Sequence, residues 1–268
     1  MARQTGLVKY NGTMGGVRHF KIKGLQGDFA GMAGGPSAGQ INSDPAFIRT
    51  RENMNEFGGS AAAAKSVRIA LSQIMKQFSD SRLTGRLTAI MKQINLEDQS
   101  EARGRRAIEV STQRQYLLGL DFNANLSLFG LFKAPYTLEN TVARDSATFT
   151  IPGFSPSNLI SPPAGATHFR LLNAIAVISD WAYNELSSKY EATDNALSEI
   201  SDIQYSNYLD LNTVIATPTV ITTTLPGSPT MTASVSVLNC IGIEFYQMVG
   251  ANYYLFSAGN ALTIDDVF

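Results

Sequence analysis

Two histidines, His19 and His168, and one cysteine, Cys240, are the whole stock of imidazole and thiol in this sequence. Zinc and copper sites draw on several such groups at short spacing, so these isolated side chains predict no metal site. A nucleophilic thiol needs a base beside it, and no local pattern around Cys240 supplies one. Carboxylates are adjacent at Glu97-Asp98 and Asp265-Asp266. Sequence neighbours point in different directions on most backbones, which argues against an acid and base pair. The glycines at 12, 15 and 16, and at 31, 34 and 35, follow neither the dinucleotide nor the P-loop spacing. Neither cluster leads from a buried strand directly into a helix, as phosphate cradling requires. The sequence thus predicts no catalytic residue, no metal, no cofactor and no enzymatic activity.

Ala102-Arg103-Gly104-Arg105-Arg106 is the strongest basic cluster. Guanidinium groups at Arg103, Arg105 and Arg106 suit phosphates, yet no aromatic residue is interleaved to stack on bases. A surface turn or a salt-bridging site for an acidic partner is the favoured reading, with nucleic acid as the alternative. Trp181, Tyr205 and Tyr208 offer rings for sugar stacking, but core packing is their expected use.

The elements that would position these residues divide the chain by charge. Net charge is −1, but residues 1–114 hold 17 Lys and Arg against 9 Asp and Glu, while residues 115–268 hold 4 against 13. Opposed fields on one molecule favour head-to-tail association of copies. The opening residues lack the continuous apolar run of a signal peptide, and later apolar runs are interrupted, so cytoplasmic synthesis and no membrane insertion are expected. A lone cysteine demands no oxidising compartment.

Residues 1–30 alternate β-type runs with glycines: Leu7 to Tyr10, the turn pair Asn11-Gly12, then Val17 to Ile22. This reads as a hairpin-like arm, and two strands alone are marginal in water. Residues 31–40 read as a small-residue linker. Ser43 and Asp44 offer N-caps before Pro45, for a helix expected to stop at Gly58-Gly59 with Phe47, Met54 and Phe57 facing a core. Two further helices carry apolar residues at offsets 0, 4, 7, 8 and 11: Val67, Leu71, Ile74, Met75 and Phe78, then Leu83, Leu87, Ile90, Met91 and Ile94. Ser79-Asp80-Ser81 would turn the chain between them.

From about Leu118 the pattern becomes short β-rich runs, and 8 of the 10 prolines follow residue 134. Candidate strands are 121–132, 147–151, 167–178, 213–224, 231–245 and 253–256, with a long loop over 153–165. A hairpin is expected at Val249-Gly250-Ala251-Asn252. The apolar end of Thr263 to Phe268 is expected to dock into a core or into a neighbouring copy.

Several stretches resemble a family of Bacteroidota proteins that carries no assigned activity. They are Met1-Ala2-Arg3-Gln4-Thr5-Gly6 with Lys9, Gly12-Thr13 and Phe20; Asp44-Pro45-Ala46-Phe47 with Arg49-Thr50-Arg51-Glu52-Asn53 and Glu56-Phe57-Gly58; Ser79-Asp80-Ser81-Arg82 with Arg86-Leu87-Thr88; Ala102-Arg103-Gly104; Thr167-His168-Phe169 and Gly242-Ile243-Glu244-Phe245. The resemblance implies no catalytic residues. Gly24-Leu25-Gln26-Gly27 stands where that family carries a lysine-rich hairpin.

The expected architecture is α+β: a glycine-rich arm and linker over 1–42, a basic helical segment over 43–116, and an all-β domain over 117–268 forming an antiparallel β-sandwich. The expected function is structural, as a self-assembling subunit of a filament, tube or shell of the kind phage-like assemblies use. Its partners would be copies of itself, met through an arm carrying Leu7, Val8, Tyr10, Val17, Phe20 and Ile22. Nucleic acid held by the basic helical face, or glycan held by the sandwich, is the alternative.

Overall fold

The computed structural model describes residues 1–32 and 34–268, and they form two compact units, Met1–Arg51 and Glu52–Phe268. In the first unit, strands β1 (Ala2–Arg3), β2 (Gly12–Met14), β3 (Val17–Lys21) and β4 (Asp28–Met32) form an antiparallel sheet in the order β1-β4-β3-β2. The hairpin turn is Gly15-Gly16, with φ of 56° and 76°, and Met14 faces Val17 across it. A two-residue turn of this kind needs two successive positive φ angles, which paired glycines adopt without a Cβ clash. Asn11-Gly12, the expected turn, therefore does not close the hairpin. Leu7–Tyr10 is a loop and not a strand: the Gln4 side chain donates to Tyr10 O at 3.3 Å and accepts the Tyr10 N–H at 2.9 Å, taking the groups a partner strand would have used.

The expected linker over 31–40 begins inside β4 and ends in a short helix, α1 (Ala38–Ser43), started by a capping box between Ser37 and Gln40. Ala33, within that stretch, lies outside the described residues.

Three helices follow, α2 (Ile48–Ala70), whose first residues lie in the first unit, α3 (Ser72–Phe78) and α4 (Leu83–Glu97). Gly58-Gly59 does not end α2. An added Cβ at Gly59 would run into the Tyr190 ring, so this glycine serves close packing inside a helix and not a C-cap. Met54 and Phe57 are exposed, against expectation, because the buried stripe of α2 is Glu56, Gly59, Ser60, Ala63, Ala64, Val67 and Ala70. The break comes at Leu71, which has φ −101° and ψ 17° and divides the expected Val67–Phe78 helix. On α4 the buried residues Leu83, Leu87, Met91 and Ile94 keep the offsets 0, 4, 8 and 11.

The remaining elements are β5 (Leu120–Asp121), α5 (Leu128–Leu131), β6 (Thr137–Asn140), β7 (Ser146–Ile151), α6 (Pro156–Leu159), β8 (His168–Ser179), β9 (Trp181–Asn184), β10 (Lys189–Ala192), β11 (Ser201–Tyr205), β12 (Leu209–Asp210), β13 (Thr219–Thr224), β14 (Val235–Val249), β15 (Asn252–Leu255) and β16 (Ala261–Val267). The expected strand 121–132 is thus one short strand and a helical turn, and 213–224 is strand only from Thr219. Turn-forming Asn123 and Asn125 and the Ser127 N-cap break the first of these runs. The loop 153–165 holds α6, which begins at Pro156, a favoured first helical residue.

A seven-stranded antiparallel sheet runs β11-β8-β14-β16-β5, with β12 on β8 and β15 on β14. Its axis is the β8·β14 pair, in register from Val235 opposite Ser179 to Tyr246 opposite His168. Side chains alternate between two covered faces. Leu172, Ala174, Ala176, Ile178, Leu238 and Cys240 pack with the helices, whereas Phe169, Leu171, Ile241, Ile243 and Phe245 pack with Phe149, Ile151 and Ile221 of the three-stranded sheet β13-β7-β6. Burial on both faces explains why Leu171–Ile178 is almost wholly apolar. Each fully buried Leu, Ile or Phe contributes about 1.5–3 kcal/mol.

This is the expected α+β class with extensive antiparallel pairing. The helices of the expected 43–116 segment share one apolar core with the sheet. Asn173 fastens the two sheets: its amide donates to Ala147 O at 3.0 Å and Ile221 O at 3.2 Å. The hairpin at Gly250-Ala251 forms as expected, with Val249 facing Asn252. The terminal strand β16 lies between β14 and β5, and Phe268 exchanges backbone bonds with Val237 at 2.8 and 3.1 Å. The tail thus docks into its own unit.

Candidate functional site

The N-terminal sheet has two chemically different faces, set by strand alternation and register. Cross-strand partners share a face. Met14 pairs with Val17 and His19 with Ala30, and the Tyr10 ring lies 5.6 Å from that of His19, giving one mainly apolar face. On the other face Arg3 pairs with Phe29, Phe29 with Phe20, and Arg18 with both Thr13 and Gly31. The Phe20 and Phe29 rings stack with centroids 6.3 Å apart, and the Arg18 guanidinium lies 5.9 Å from the Phe20 centroid.

No described residue of 1–51 is buried, yet Leu7, Val8, Tyr10, Met14, Leu25 and Met32 are exposed, Leu7 completely so. Of the six expected arm residues, Leu7, Val8 and Tyr10 lie on the Gln4-pinned loop, Val17 and Phe20 lie on opposite faces of β3, and half-buried Ile22 follows it. The register separates residues that a linear reading groups together. Arg3 and Phe29, which complete the second face, were missed because only the pairing of β1, β4 and β3 brings them beside Phe20.

The arginine cluster pairs with carboxylates of its own unit while Arg103 and Arg105 stay exposed. Arg103 Nε lies 3.6 Å from Glu52, Arg106 Nε lies 3.9 Å from Glu56, and Arg105 pairs with Glu185. Gly104 takes a φ of 95° so that its N–H reaches Glu56 Oε1 at 2.8 Å. Glu56 also pairs with Lys92. Each arginine of this turn thus has a counter-ion within its own unit.

A third cluster surrounds Arg170, which faces Glu244 across β8·β14 and donates to it at 3.3 Å. Its guanidinium stacks over Tyr205 at 4.0 Å and Tyr208 at 5.0 Å, and Tyr208 stacks flat on Tyr253 at 3.9 Å. Burial, then the Glu244 charge, pushes the Tyr205 phenol above its ordinary value. Tyr205 and Tyr208 therefore spend their faces on a cation of the same chain, and Trp181 lies half-buried in β9. The sequence offers no local cue to this cluster, since Arg170 is an isolated cation within an apolar strand.

Among the described residues no group of three or more His, Cys, Asp or Glu side chains is arranged to hold a metal ion, and no helix is long and apolar enough to cross a membrane. His19 and His168 lie on different sheets, and Cys240 is wholly buried with its thiol pKa raised by burial. Comparison with known proteins returned no match to a family model, a curated protein or a solved structure.

Proposed function

We propose that this chain is a self-assembling structural subunit that joins copies of itself through the apolar face and loop tip of its N-terminal sheet. One observation carries this reading: a four-stranded sheet with no buried residue among those described exposes Met14, and the loop between its first two strands exposes Leu7, Val8 and Tyr10. A small sheet without a core is marginally stable, and covering its apolar face with a second protein surface supplies the missing burial. The charge asymmetry of the chain adds to this, because a basic N-terminal unit is attracted to the acidic remainder of another copy. Head-to-tail contacts of that kind continue into a filament or close into a ring.

The test is sedimentation and negative-stain electron microscopy of the full chain beside a chain lacking residues 1–40. All three apolar cores consist of residues from Ala63 onward, so the shortened chain keeps its folded unit. The full chain is expected to form ordered polymers or rings and the shortened chain a folded monomer. Polymers that persist without residues 1–40, or a full chain that stays monomeric at every salt concentration, would reject the mechanism.

A further inference from the structure

The second face of the N-terminal sheet has a chemistry that self-association does not use. Residues 1–32 carry Arg3, Lys9, Arg18, Lys21 and Lys23 against one acid, Asp28, which lies 3.8 Å from Lys21. Two of these cations, Arg3 and Arg18, stand on the same face as Phe20 and Phe29. That face forms two rows: Arg3, Phe29 and Phe20 in one, Gly31, Arg18 and Thr13 in the next. A groove of about 680 Å³ lies over part of it, lined by Thr13, Arg18, Phe20 and Gly31 together with Met1, Met32 and Gly34. At Gly31 an added Cβ would meet only the Phe20 ring, at 3.8 Å, so the floor beside the ring is open.

We propose that this face binds single-stranded nucleic acid. Half-buried aromatic rings flanked by guanidinium groups match what a single strand presents, unstacked base faces alternating with phosphates. A duplex keeps its base faces stacked and has nothing to place on the rings. An acidic peptide would satisfy the arginines and leave the rings unused. Stacking on the rings and charge contacts to the backbone do not distinguish one base from another, so binding is expected to be tolerant of sequence. The arginines of the 102–106 turn are not part of the site, since each is paired within its own unit.

Fluorescence anisotropy of labelled oligothymidine with the full chain tests this, using a duplex of equal length and heparin, a polyanion without bases, as competitors. The expected result is salt-dependent binding of the single strand in preference to both. Replacing both exposed arginines, Arg3→Ala with Arg18→Ala, is expected to lower the slope of log affinity against log salt by about 1.4, since each phosphate contact on a single strand contributes about 0.7. Phe20→Leu keeps an apolar residue in the sheet and is expected to weaken binding roughly tenfold with the salt slope unchanged. Arg103→Ala with Arg105→Ala is expected to change nothing. Proteolytic resistance of residues 17–32 in each variant separates loss of the site from loss of the sheet, and the arginine pair decides the matter if Phe20→Leu unfolds it. Absence of binding at low salt, competition by heparin as strong as by oligothymidine, or loss of binding through the 103 and 105 substitutions would each overturn the proposal.

Discussion

The Glu56 carboxylate, buried in the middle of α2, accepts the backbone N–H of Gly104 at 2.8 Å and so ties the arginine turn to the helical layer. The same carboxylate faces Lys92 and Arg106, and Asn95, bonded to Lys92 at 2.7 Å, reaches back to the carbonyl of Arg106. A buried anion held this way is costly to disturb, because removing it strands two cations and an amide. Glu56→Ala is expected to destabilise the folded chain by about 3 kcal/mol or more, measured by urea unfolding. Glu56→Met combined with Lys92→Met is expected to cost less than the sum of the single changes, because the double change leaves fewer unpaired charges. Strict additivity would show that the pair is not coupled.

Gly58 and Gly59 are adjacent in α2 and are expected to respond oppositely to alanine. Gly58 is exposed with nothing within 4 Å of an added Cβ, so Gly58→Ala is expected to stabilise by roughly 0.5–1 kcal/mol through helix propensity alone. At Gly59 the Tyr190 ring occupies the space, and moving it endangers the 2.9 Å bond from Tyr190 to Arg106 O. Gly59→Ala is expected to destabilise by about 1–3 kcal/mol despite the same propensity gain. Thermal unfolding of the two variants side by side checks the sign.

Asp180 has its carboxyl pKa raised above the usual 3.8, chiefly by burial, against the opposing hydrogen bonds from Ser111. A raised folded value means that the protonated form is favoured by folding. The stability linked to this group is fully present below pH 3.8 and is lost as the pH rises through the raised folded value. Asp180→Asn keeps an acceptor for the Ser111 N–H and removes the titration. Its stability relative to the parent is therefore expected to be greater above the folded value than below it, as read from denaturant midpoints across the acid range. An unchanged difference across that range would show that folding does not shift the titration of Asp180.

Cys240 sits on β14 with no exposure, beneath the helical layer, and burial raises its thiol pKa. Thiolate, not thiol, is the reactive species. In the native chain it is expected to resist disulfide reagents, and its slow labelling is expected to follow opening of the whole core. Labelling at the rate of a free thiol would show that β14 opens independently.

Several features were legible from residue order alone. The offsets of Leu83, Leu87, Met91 and Ile94 mark one buried stripe because a helix repeats every 3.6 residues, and the hairpin at Gly250 is marked by local turn chemistry. The poor supply of His and Cys side chains likewise needs no structure to recognise. Misreadings occurred where two local signals competed. Asn11-Gly12 and Gly15-Gly16 both suit a hairpin turn, and the Gln4 side chain, remote in sequence from neither but invisible to pattern, settled the matter by capturing Tyr10. Gly58-Gly59 resembles a helix stop, but the approach of Tyr190, far along the chain, makes Gly59 an interior packing residue.

By itself, the sequence determined the mixed α+β class, the change from helical to strand periodicity near residue 118, and the uneven distribution of charge, since all of these depend on composition and local repeat. Only the tertiary structure decided which faces those elements present. Register placed Arg3 and Phe29 beside Phe20, set Arg170 against Glu244 and turned Arg103, Arg105 and Arg106 toward carboxylates. The physical reason is the same in each case: a strand side chain acquires its neighbours from other strands, and shifting the pairing by one residue would move every one of them to the opposite face.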